Sequence, residues 1–207
     1  ILGRYFEDKE LLSKISGNLD GNGRLSGTFH APVFEGYINV SQPQVMGFNL
    51  DQITGELSWR AQTLSVDQMI ISRAAEEVTA FGKIDFTQTQ PSLDLGLKME
   101  EAGLANLLIL TGRSPQARID GKVTGYLRLL GQLDQPLLRL IAQFSEGKIN
   151  DFSSLEGELD LQIQDSRITV NRLLIDEAEG QLYASGAYIP GSQLQLSAKM
   201  REFPVAP

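Results

Sequence analysis

Few residues of this chain have types and spacings that could do chemistry. His30 is the sole histidine, and there are no cysteines, so thiolate nucleophiles, disulfides and Cys-ligated zinc are excluded. Triads and metal centres need partners that a lone imidazole lacks, which leaves His30 a surface role at a strand end. Asp20-Gly21-Asn22-Gly23-Arg24 resembles the start of a calcium loop, but the twelfth position is Ala31, where a bidentate Glu is required. Asn22-Gly23 reads instead as a hairpin turn. Gly21, Gly23 and Gly27 are misspaced for a dinucleotide fingerprint. The pairs Glu76-Glu77, Glu100-Glu101 and Glu156 with Glu158 offer carboxylates of the kind glycosidases use, yet Glu156 and Glu158 fall on the wet face of an alternating strand. Arg113, Arg118, Lys122 and Arg128 read as surface charge balancing an acidic chain. No enzymatic site and no cofactor is expected.

The elements that carry these residues are strands. Leu155 to Ile163 alternates apolar and polar without a fault, and so does Gln193 to Met200. The same period puts Ile53, Gly55, Leu57 and Trp59 on one face, and Val123, Gly125, Leu127 and Leu129 on one face of another strand. Turn signals at 20–23, 88–91, 164–166 and 190–192 are short, which favours an antiparallel meander. Residues 137–144 read as strand, with Leu138, Leu140, Ala142 and Phe144 on the dry side. Glu100 to Thr111 reads as a short amphipathic helix with Gly112 as its stop, and Phe6 to Ser13 as the tail of its predecessor.

The pattern repeats. Ile15-Ser16-Gly17 matches Ile119-Asp120-Gly121, Gly27 matches Gly131, and Pro32 matches Pro136, each 104 residues apart. Ile53-Thr54-Gly55-Glu56-Leu57 matches Leu155-Glu156-Gly157-Glu158-Leu159 at 102, which implies two extra residues in the first copy and sets Trp59 against Leu161. Leu64-Ser65-Val66 returns to 104 with Ile168-Thr169-Val170, and Leu93, Leu95 and Leu97 meet Leu194, Leu196 and Ala198 at 101. The expected organisation is therefore the end of a linker over 1–14, a first β repeat over 15–99, and a helix with linker over 100–118. A second repeat follows over 119–200, and the start of the next linker over 201–207. About seven strands per repeat are expected, and the chain reads as an excerpt of a longer array.

Composition agrees with a folded β protein. The 207 residues are 42% hydrophobic and 21% charged, with a net charge of −8 that disfavours a phosphate-tracking surface and sets nucleic acid aside. No apolar run reaches the ~18 residues of a membrane-spanning helix.

At Ile119-Asp-Gly-Lys-Val-Thr-Gly-Tyr-Leu-Arg-Leu-Leu-Gly-Gln-Leu-Asp-Gln-Pro, Leu155-Glu-Gly-Glu-Leu and Leu182-Tyr-Ala-Ser-Gly-Ala, the chain resembles the TamB/AsmA-like family. Its phrases Leu-x-Gly-x-Leu, Leu-x-Gly-x-x-x-x-Pro and Ala-x-Gly run through both copies. Departures occur at Leu138 to Leu140, where a Gly is usual, and at Phe81, where Ser is usual. The resemblance implies a mainly β fold: an elongated, U-shaped antiparallel sheet with a greasy interior, anchored in the inner membrane by a segment outside this chain and reaching across the periplasm. It implies phospholipid acyl chains as cargo and an outer-membrane barrel of the TamA/BamA type as partner, in lipid transport or outer-membrane protein assembly. The groove would be lined in the first copy by Leu25, Phe34, Ile38, Val40, Ile53, Leu57, Trp59, Leu64, Val66, Leu93, Leu95 and Leu97. In the second copy Val123, Leu127, Leu129, Leu138, Leu140, Phe144, Leu155, Leu159, Leu161, Ile163, Ile168, Val170, Leu194 and Leu196 would continue it. A β-sandwich pair or a β-solenoid stalk without a groove is the structural alternative.

Overall fold

The computed structural model describes residues 15–45, 48–74, 76–103, 119–150 and 152–202. All regular structure among them is strand: β1 (Ile15–Thr28), β2 (Ala31–Val45), β3 (Phe48–Asn49), β4 (Gln52–Arg60), β5 (Thr63–Arg73), β6 (Glu76–Asp85), β7 (Ser92–Gly103), β8 (Ile119–Gln132), β9 (Gln135–Ile149), β10 (Phe152–Gln164), β11 (Arg167–Glu177), β12 (Gly180–Ile189) and β13 (Gln193–Arg201). They belong to two compact units, 1–87 and 88–207. In the first, β1, β2, β4, β5 and β6 pair antiparallel in that order, with β3 clipped to β2. In the second, β7 to β13 pair antiparallel in sequence order. Apart from the longer connection between β7 and β8, the meander follows from links too short for a crossover.

Two of the turns are alike in detail. Ala61 and Gln62 have φ of 49° and 63°, and Asp165 and Ser166 have 48° and 63°. Positive φ at both central residues is the type I′ geometry, whose twist suits antiparallel strands. A side chain in the left-handed region costs ~1–2 kcal/mol, so Gln62→Gly is expected to stabilise by about 0.5–1 kcal/mol after the added chain entropy of glycine. The urea midpoint should rise; a fall would mean that the Gln62 side chain makes a compensating contact.

The spacing of 104 reappears in the backbone. Gln42 and Glu146 have φ of 50° and 53°, and Ala74 and Ala178 have 55° and 52°. Strand β5 departs from regular pairing between Val66 and Met69, and β11 between Val170 and Leu173, at corresponding places. Each bulge inserts polar residues, Asp67-Gln68 and Asn171-Arg172, that are exposed.

Several expectations are corrected. The two-residue insertion does not exist: Val40 pairs with Ile53, and Phe144, 104 residues after Val40, pairs with Gly157. Trp59 pairs with Leu64 while Ile163 pairs with Ile168, so Trp59 corresponds to Ile163 and not to Leu161. The Leu-x-Gly-x-Leu phrase sits one pair lower in β10 than in β4, a shift of two residues that keeps the same face. Residues 20–23 form no turn, because Gly21 and Gly23 lie inside β1, paired with Ile38 and Gly36; the turn falls at Phe29-His30. The Phe34 ring lies across Gly23, where a Cβ would come within 2.6 Å of its Cε2.

Against the seven strands expected of each repeat, positions 15–103 hold seven with the two-residue β3 included, and positions 119–201 hold six, β8 to β13. Glu100 to Gly103, read as the start of a helix, continues β7. The pairing skips between Met99 and Ala102 there, so the two glutamates form a bulge with Glu101 at a φ of 52°. The remainder of that expected helix and Phe6 to Ser13 lie outside the described residues.

Candidate functional site

Directly paired residues of neighbouring strands share a face, so the ladders define cross-strand rows. In the second unit one row runs Leu95, Leu129, Leu138, Ile163, Ile168, Tyr188, Leu194 across β7 to β13. The next runs Leu97, Leu127, Leu140, Leu161, Val170, Gly186, Leu196, and a third Met99, Gly125, Ala142, Leu159, Leu173, Ala184, Ala198. A fourth contains Ala102, Val123, Phe144, Gly157, Ile175, Leu182 and Met200. Leu93 flanks the first row through Gly131, and Leu155 flanks the fourth through Gly147. None of these positions is charged.

The first unit repeats the arrangement over five strands. Leu25, Phe34, Trp59, Leu64 and Ile84 form one row, and Gly23, Gly36, Leu57, Val66 and Gly82 the next. Below them lie Gly21, Ile38, Gly55, Met69 and Ala80, then Leu19, Val40, Ile53, Ile71 and Val78. Among the described residues, charge enters the first unit's face only at a strand end, where Arg73 pairs with Glu76, and on the second unit's face Glu177 pairs with Gly180 at a strand end likewise.

Every residue expected on the dry side thus falls on one of these two faces. Sequence reasoning missed Met69, Ile71, Leu173 and Ile175, because the polar bulges preceding them interrupt strict alternation. The exposed pairs Asp67-Gln68 and Asn171-Arg172 are themselves the signal, since a phase slip after two polar residues returns the apolar phase.

Within each unit the sheet is a single layer, and every substantial strand–strand contact joins hydrogen-bonded neighbours. Burial on the apolar face is correspondingly uneven. Met99 and Val123 are 2% and 3% exposed, Leu159 and Leu161 are half-buried, and Leu196 on β13 and Leu25 on β1 are 63% and 73% exposed.

The opposite face is mixed: it is laced with ion pairs, and among them stand Tyr126 paired with Ile141, Leu130 with Leu137 and Leu174 with Tyr183. Arg172 meets Glu158 at 3.1 Å, and Asp160 accepts from Arg139 at 3.2 Å and from the Asn171 amide at 3.1 Å. Arg128 pairs with Asp94. Lys122 donates to Glu146 at 2.9 Å with Glu101 at 3.8 Å, and the Glu146 hydrogen bond followed by these charges holds the ammonium pKa above its usual value. Lys122 and Arg128 are therefore engaged within the sheet, while Arg113 and Arg118 lie outside the described residues. Two shallow concavities, of about 450 and 370 Å³, lie on this side, the second lined in part by Glu156, Glu158 and Asp176. No group of His, Cys, Asp or Glu among the described residues is arranged to hold a metal. His30 stands in the β1–β2 turn, its ring centroid 6.0 Å from that of Phe29 and the two rings at 81°.

Trp59 reports on the apolar face of the first unit. It is half-buried, pairs across the ladder with Phe34 and Leu64, and its ring lies 5.6 Å from that of Phe86 at 43°. Emission of the folded protein should be blue of the urea-unfolded chain and should move further on adding palmitate. A red, freely quenched Trp59 would place it on the polar face.

Among the described residues no helix is long and apolar enough to cross a membrane. Compared with known proteins, the chain matches no family model, no curated protein and no solved structure.

Proposed function

We propose that the chain is a non-enzymatic segment of a periplasmic, bridge-like lipid-transfer protein whose apolar sheet faces hold phospholipid acyl chains between inner and outer membranes. The same surface serves outer-membrane protein assembly if the partner is a barrel of the TamA/BamA type. In this reading positions 15–99 and 119–200 are two copies of one repeat, and each sheet forms the wall of a U-shaped trough open on one side. The protein is anchored to the inner membrane by a segment outside this chain.

The observation that supports this is the set of uninterrupted, charge-free rows crossing five and seven strands on one side of single-layer sheets. Apolar surface left in water costs ~25 cal/mol per Å², and an extended occupant matched to parallel rows of Leu, Ile and Val relieves that cost without any polar recognition. Acyl chains have that shape and chemistry. The resemblance noted in the sequence gives the same assignment.

A photo-crosslinking amino acid at Leu159 or Leu161 should capture phospholipid in diderm bacterial cells, whereas one at Glu158 or Asp160 should not. These four neighbours alternate between faces, so local accessibility along the chain is controlled. Equal capture from both faces, or capture of none, overturns the proposal.

A further inference from the structure

One strand end of the second unit holds a carboxylate that the fold does not satisfy. Strand β5 ends at Arg73, and 104 residues later β11 ends at Glu177. The next residues, Ala74 and Ala178, share φ of 55° and 52°, so the two ends correspond. Arg73 lies opposite Glu76 on β6, whereas Glu177 lies opposite Gly180 on β12, which brings no side chain. The first unit therefore sets a cation against an acid here, and the second keeps an acid alone. Oε2 of Glu177 is shut off from solvent and, among the described residues, has no hydrogen-bond partner. Arg201, the base that β13 brings to this end, sits opposite Gln181 on the other face with Glu202 at 3.9 Å. A carboxylate oxygen screened from water and left without a donor is costly, and such groups call for a partner.

The surroundings restrict what that partner can be. Glu177 stands on the apolar face, one pair beyond Ile175↔Leu182 in the fourth row, and Leu155, which flanks that row, is 3% exposed. A donor arriving there must carry positive charge and belong to a molecule that is otherwise apolar. On the reading that the rows hold acyl chains, we infer that Glu177 binds the primary ammonium of an amine-bearing phospholipid headgroup whose tails lie on the rows inward of it. The ammonium takes the part that Arg73 plays against Glu76 in the first unit. Its three N–H donors can reach Oε2, and a bond between two charged groups is about twice as strong as a neutral one. A glycerol headgroup donates without charge, and a quaternary ammonium carries charge without a donor. The carboxylate therefore selects among headgroups, while the rows supply affinity for the tails.

The test exposes the purified full chain to vesicles of dioleoyl phosphatidylethanolamine and dioleoyl phosphatidylglycerol in equal amounts and quantifies the lipid retained by mass spectrometry. The unaltered protein should enrich the amine lipid about tenfold, the scale of one charge-assisted hydrogen bond. Glu177→Gln should return the ratio to that of the vesicles with total lipid unchanged, and so should Glu177→Arg combined with Gly180→Glu, which copies the first unit's pair. Dioleoyl phosphatidylcholine in place of the amine lipid should lose most of the enrichment. Without lipid, the thermal midpoint of Glu177→Gln should not fall. Enrichment that survives Glu177→Gln, lipid retained without enrichment, or a marked fall in that midpoint overturns the inference and leaves the acyl-chain reading standing. No lipid retained by any of the proteins overturns both.

Discussion

Leu161→Arg is expected to leave the protein folded while bringing the phospholipid recovered with it to background. Leu161 sits mid-row between Leu140 and Val170, is half-buried, and faces no second sheet among the described residues of its unit. Losing part of its burial costs about 1–2 kcal/mol, and on a face open to solvent the guanidinium reaches water along its own methylenes. The thermal midpoint should then fall by only a few degrees. In a closed sandwich core the same change would strand an unpaired charge and cost several kcal/mol. Thermal melts and lipid mass spectrometry on one preparation separate the two: a folded, lipid-free variant supports the trough, and a collapsed one supports a sandwich.

Gly157→Ala should be the more damaging change to stability, although it adds a single carbon. An alanine Cβ there would fall inside the van der Waals envelope of the Leu174 carbonyl oxygen and 2.5 Å from Cζ of Phe144. The ring can move but the carbonyl belongs to the neighbouring strand, so β11 itself must shift. Overpacking of this kind costs about 1–3 kcal/mol, or roughly 2–12 °C in a chain of this size. Combining it with Phe144→Leu should recover only a minor part, because that relieves the ring and not the backbone. Full recovery in the double variant would show that the ring alone enforces glycine.

These two positions also show what could be read from the residues and what could not. The face of Leu161 was legible because alternation around it is unbroken from Leu155 to Ile163. Its partner row was not. The phrase Leu-x-Gly-x-Leu aligned Gly157 with Gly55, yet Gly157 occupies the place of Ile53, with the Phe144 ring filling the space the missing side chain leaves. Glycine was read as a marker of strand register when it marks the room claimed by a ring or carbonyl next door. The same confusion made a turn of Asn22-Gly23, where the claimant is Phe34. At Glu100-Glu101 two adjacent acids imitated a helix's first turn, because a bulge also lets consecutive side chains escape alternation.

The stacked ladders impose a parity on how such a chain can change over generations. Removing one residue from the interior of β8 or β10 would exchange the faces of everything beyond it, presenting charge where the rows are apolar. Removing two would preserve the faces, and the one-pair displacement of the Leu-x-Gly-x-Leu phrase between β4 and β10 is a drift of that even kind. The irregular places are the exceptions, since the strand already changes phase there: the bulges at Asp67-Gln68, Glu100-Glu101 and Asn171-Arg172, and the register shifts after Ser16, Asp120, Phe152 and Leu155. Length variation within the described strands should therefore gather at such places, and elsewhere come in twos.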